Sequence, residues 1–122
     1  MRTVTIPAPC EWLSANERTH WGVKARRTAM WREAARVWAR SVSLTPLAAP
    51  VTVTITVHRV SNRRADETNL APTVKAVIDG ITDAGWLRDD NDTQITATTC
   101  VAGTPLDRAA LVLTFHEQGD RA

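Results

Sequence analysis

Apolar and polar residues recur along this chain with two different periods, and the changes of period divide it into six elements. Thr3 to Ile6 alternates and stops at Pro7 and Pro9, which predicts a short first strand. The stretch from Leu13 to Trp21 is polar between apolar ends and reads as a structured loop. From about residue 22 to 41 the composition turns to Ala, Arg and Trp, all compatible with helix. Within it Trp31, Ala35, Trp38 and Val42 fall at i, i+4, i+7 and i+11, so they are expected to share the packed face. Arg32, Arg36 and Arg40 form a separate stripe, and Pro46 and Pro50 enforce a break.

Val51, Val53, Ile55 and Val57 alternate with Thr52, Thr54, Thr56 and His58, which predicts a strand with one buried face. Residues 61–69 form a charged connector. A second helix is expected over 72–84, with Pro72 in its first turn and Gly85 as its stop. Val74, Val77, Ile78 and Ile81 supply its apolar face. Residues 93–101 and 109–115 read as two further strands separated by Gly103-Thr104-Pro105. The order β-α-β-α-β-β predicts an α+β fold, a mixed sheet with two main helices, in one domain over 1–122.

Composition adds exclusions. At 122 residues, with 43% hydrophobic and 23% charged, the chain is too apolar for a disordered one. No apolar run approaches the roughly 18 residues of a membrane span, so no membrane partner is expected. The first 12 residues lack an apolar signal core, and Cys10 and Cys100 lie in no metal-finger spacing. A cytoplasmic protein with reduced cysteines is the expectation. The net charge of +2 conceals a split: residues 1–64 carry 11 Lys/Arg against 3 Asp/Glu, and residues 65–122 carry 4 against 10. A basic half joined to an acidic half points to a polyanion partner plus a carboxylate site.

The acids cluster around the second helix. Asp66 and Glu67 precede it, Asp79 and Asp83 lie on it, and Asp89, Asp90 and Asp92 follow it. Short-spaced carboxylates at helix ends suit Mg²⁺, and two such groups facing a phosphodiester can activate water and steady the leaving oxygen. From spacing alone a solvated acidic turn before a strand fits the same residues.

Specific residues narrow the choice. Arg63-Arg64-Ala65-Asp66-Glu67-Thr68-Asn69-Leu70, then Lys75 and Asp79, then Asp83-Ala84-Gly85 and Asp89-Asp90, resemble the core of the RusA family of Holliday junction resolvases. Asn-Leu-Ala-Pro-Thr-x-Lys is similar to its actinobacterial and phage members, and Leu13-Ser14-Ala15-Asn16-x-Arg18-x-His20-Trp21 resembles its opening motif. The resemblance spans nearly the whole chain. It implies a homodimeric, Mg²⁺-dependent endonuclease, with Mn²⁺ as an alternative ion, that nicks branched four-way DNA in recombination and repair. Position by position, Asp66 and Asp90 match metal-binding carboxylates, and Asp89 adjoins the second of these. Lys75 matches the lysine used near the phosphate. Arg63 and Arg64, with Asn16, Arg18 and His20 of the opening motif, are the expected DNA contacts. A bacterial cytoplasm, at the nucleoid or during phage infection, is the implied location.

One position departs from the family. Thr68 stands where the pattern has a second Asp, and a neutral hydroxyl is a weaker ligand. The candidate metal set is therefore Asp66, Glu67, Thr68, Asp89 and Asp90. Three readings follow: a weakened enzyme, an enzyme rescued by Glu67 or Asp89, or a junction-binding protein without catalysis. A purely structural dimer module is a further, weaker reading. Because a 13-residue helix is roughly 20 Å long, Asp66 and Asp90 are expected to meet across a dimer, one from each chain.

Other residues have plainer readings. Trp31 and Trp38 fit core or dimer packing better than base stacking, and partial exposure is expected at Trp12 or Trp21. The Arg32, Arg36 and Arg40 stripe fits phosphate contact or a solubilising face equally well. His58 and His116 are expected on the sheet surface, and Lys75 with Asp79 fits an i,i+4 ion pair.

Overall fold

Valine and isoleucine at every second position give the sheet a single apolar face, and that alternation organises the molecule. The computed structural model describes residues 1–15, 18–60, 70–88 and 94–117. Its elements are β1 (Arg2–Pro7), α1 (Trp21–Val42), β2 (Val51–His58), α2 (Ala71–Asp83), β3 (Ile95–Ala102) and β4 (Ala110–Glu117). The order is the expected one, and the fold is α+β with two helices.

The four strands form one mixed sheet in the order β1-β4-β2-β3. β4 pairs antiparallel with both β1 and β2, whereas β2 and β3 run parallel. A parallel pair needs a crossover, and α2 lies in that connection. The register aligns Val4, Leu113 and Ile55 in one row and Ile6, Leu111 and Val57 in the next. All six are buried, and the two helices close over this face as part of the same core. On the opposite face Thr3, Thr5 and Thr52 are exposed, which suits β-branched polar side chains on a pleated surface. β3 is an edge strand and stays exposed from Thr96 to Ala102.

The two helices approach closely because both present small residues. A methyl group on Gly80 would lie 2.2 Å from the Arg32 carbonyl oxygen and 2.7 Å from Ala35 Cβ. This crossing corrects the expected face of α1. The buried line is Trp31, Ala35 and Ala39, whereas Trp38 and Val42 are 43% and 49% exposed. Trp38 projects about 60° from Ala35, the side chain that meets Gly80 of α2, and so falls at the margin of the stripe, and Val42 is the last helical residue.

α2 buries Val77, Ile78 and Ile81 as its pattern predicts, and Val74 packs at the core's margin. It ends as expected at Gly85, whose φ of +90° is the left-handed conformation that glycine adopts without strain. That turn delivers Trp86 into the core, a role its sequence context did not reveal. Trp86 is fully buried, donates from Nε1 to the Ser43 carbonyl at 2.8 Å, and meets Phe115 edge-on at 5.6 Å. Among the described residues no helix is long and apolar enough to cross a membrane.

Candidate functional site

The hydroxyl of Thr73, in the first turn of α2, joins the two parts of the chain that carry the motifs. It accepts from the Leu13 N–H at 2.8 Å and donates to the Leu13 carbonyl at 2.8 Å, and it is fully buried. A peptide group in a loop would otherwise bury a donor and an acceptor unpaired. Thr73 therefore fixes the start of the 13–21 loop against α2. In the sequence this threonine lies within the Asn-Leu-Ala-Pro-Thr-x-Lys motif with no role of its own. Its only signal was a polar side chain at a core-facing helical position.

α1 anchors the residues just before that loop. Trp31 donates from Nε1 to the Glu11 carbonyl at 3.0 Å and stacks on Trp12 at 5.2 Å. Arg27 pairs with the Glu11 carboxylate at 2.9 Å, and the Arg59 guanidinium lies 5.5 Å from the Trp12 ring centre. Trp12 is half-buried in this stack, and Trp21 is 77% exposed. His20 ends the loop and caps α1, its Nδ1 accepting from the Gly22 N–H at 3.1 Å. It thus has a structural task besides the DNA contact expected of it. Arg18 is exposed.

On α2, Lys75 is one half turn beyond Thr73. Its Nζ lies 2.9 Å from Asp79 Oδ1, the i,i+4 pair its spacing predicts. The lysine side chain remains 64% exposed, so the pair orients the ammonium without removing it from solvent. Asp79 is thereby committed to an ion pair.

The arginine stripe is divided among several tasks. Arg32 makes a bidentate contact to Asp83, at 2.5 and 2.8 Å, and so ties α1 to the end of α2. The hydrogen bonds from Arg32 hold the Asp83 carboxyl below the usual aspartate range. Arg36 pairs with Glu33 on its own helix, and this hydrogen bonding holds Glu33 below the usual glutamate range. Arg40 is exposed. The stripe is therefore not a row of three equivalent phosphate contacts. His58 faces its Nδ1 to the Thr104 carbonyl at 2.9 Å, and His116 is half-buried on β4.

Asn16, Arg63, Arg64, Asp66, Glu67, Thr68, Asp89 and Asp90 lie outside the described residues. The first acidic segment is flanked by Val60, after β2, and Leu70, before α2; the second by Arg88, after α2, and Gln94, before β3. Among the described residues no three His, Cys, Asp or Glu side chains group as a metal site. Asp79 and Asp83, the acids of α2, are both paired with cations. A fit to Mg²⁺ thus rests on residues other than these. Cys10 and Cys100 form no disulfide with each other, and burial raises the Cys10 thiol above its usual range. No protein-family model and no curated protein matches the chain.

Proposed function

We propose that this chain is a RusA-like endonuclease that resolves four-way DNA junctions as a homodimer, by metal-assisted hydrolysis of a phosphodiester. One observation carries the reading. The family-like opening loop and the family-like helix start are held together by the two Thr73–Leu13 hydrogen bonds, and the same helix start carries the exposed Lys75.

In this reading Lys75, steered by Asp79, meets the scissile phosphate and offsets its charge. Arg18 and His20 approach the DNA from the loop, and Arg63 and Arg64 position the backbone ahead of the carboxylates. Asp66 and Asp90 would hold Mg²⁺ or Mn²⁺, with Asp89, Glu67 and Thr68 as the remaining ligand positions. Such an ion supplies an activated water and neutralises charge on the phosphate. The setting is recombination and repair in a bacterial cytoplasm, at the nucleoid or during phage infection.

Thr68 favours a second reading, a protein that binds junctions with weakened or lost catalysis. A labelled four-way junction incubated with Mg²⁺ or Mn²⁺ separates the two. If the parent cleaves and Asp90→Asn abolishes cleavage, the enzyme stands. If the parent binds without cleaving and Thr68→Asp gains cleavage, the lapsed enzyme stands. A parent that shifts no DNA of any kind sinks both.

A further inference from the structure

A cavity of about 350 Å³ opens where the 13–15 loop, α1 and the start of α2 meet. Leu13, Ala15 and Pro72 give it an apolar wall, and Ser14, Lys24 and Thr28 bring two hydroxyls and one ammonium. Ligand pockets run upward from about 300 Å³, so this one is sized for a single small unit and exceeds a bare inorganic anion. Thr28 donates its hydroxyl to the Lys24 carbonyl at 2.7 Å, which fixes that wall. Lys24 is half-buried, and the ion pairs among the described residues do not include it.

Trp21, Lys24 and Thr28 stand at i, i+3 and i+7 and share one face of α1. An indole that is 77% exposed therefore stands one turn from the lysine of the cavity. On the α2 side, Pro72 and Lys75 are three residues apart and neighbour one another on the helix surface. Between residues 18 and 40 the chain carries seven Lys/Arg and one Glu; Arg27, Arg32 and Arg36 are paired with Glu11, Asp83 and Glu33, and the remaining excess of positive charge favours an anion. An apolar wall, an ammonium and an exposed indole, which touches His20 at 5.5 Å between ring centres, suit a ligand with three matching parts: a sugar, a phosphate and a base.

We propose that this cavity takes one nucleotide unit of a single-stranded DNA segment. The phosphate meets Lys24 Nζ, the sugar lies against Leu13, Ala15 and Pro72, and the neighbouring base stacks on Trp21. A paired duplex offers no unstacked base to an indole, so the site selects unpaired strand, such as that at a branch point. The inference rests on the DNA reading above for its polyanion and is independent of catalysis.

The test titrates the full chain with 5′-phosphorylated tetrathymidylate at low salt, following tryptophan fluorescence and the amide resonances of Ser14, Lys24 and Thr28. The expected result is a saturable quench with shifts at those amides. Trp21→Leu should remove most of the quench and weaken binding about tenfold. Lys24→Gln should weaken it about fivefold while Lys24→Arg retains it. Thermal melting reports whether each variant is folded. Absence of binding, binding by both variants within twofold of the parent, or equal binding of a duplex of the same length overturns the proposal. A gel shift with a four-way junction keeps the two readings separate. A junction bound without the tetranucleotide strikes the cavity alone, and a tetranucleotide bound without the junction strikes the branch reading alone.

Discussion

Thr73 shows how much one hydroxyl can decide. It satisfies the N–H and the C=O of Leu13 from a position with no access to water. Removing it leaves two buried backbone groups unpaired, at about 1–3 kcal/mol for such a group. Thr73→Val keeps the shape and should lower stability by about 2 kcal/mol, read by urea unfolding, and speed hydrogen exchange at the Leu13 amide. Thr73→Ser should restore much of both. Unchanged exchange at Leu13 in the valine variant would show that the loop is held by something else. Lys75 and Trp21 make the complementary point, because each is exposed, and solubility alone would not place an indole in water.

At the scale of elements, the α1–α2 crossing sets the geometry of everything above it. Gly80 admits the Arg32 carbonyl and Ala35, while Arg32 reaches on to clasp Asp83. Gly80→Ala should therefore destabilise the fold by about 2–3 kcal/mol despite alanine's better helix propensity, since overpacking a tight contact outweighs it. Chemical denaturation measures this, and a stabilised variant would mean that the helices can slide apart at no cost. The same crossing explains why the periodic face of α1 was misplaced in sequence. Trp38 and Trp31 fit one stripe equally well by spacing, and only the position of α2 determines which of the flanking residues is covered.

For the whole molecule, the decisive dimension is the length of α2. Its 13 residues span about 20 Å; Leu70 precedes its first residue, and Arg88 lies five residues beyond its last. If the sites are shared across a homodimer, mixing Asp66→Asn with Asp90→Asn chains should rescue cleavage, in the parent or in a Thr68→Asp background. Half the dimers are then mixed and each recovers one of two sites, so about a quarter of the activity should return. No recovery would place both carboxylates of a site in one chain. Element order, strand faces and the glycine stop of α2 were legible in the chain because each depends on near neighbours and backbone preference. The Lys75–Asp79 pair was legible for the same reason. The union of the opening loop with α2 through Thr73, the burial of Trp86 and the cavity beside Lys24 were not. Each joins residues distant in the chain, and local periodicity carries no information about which distant surface a side chain will meet.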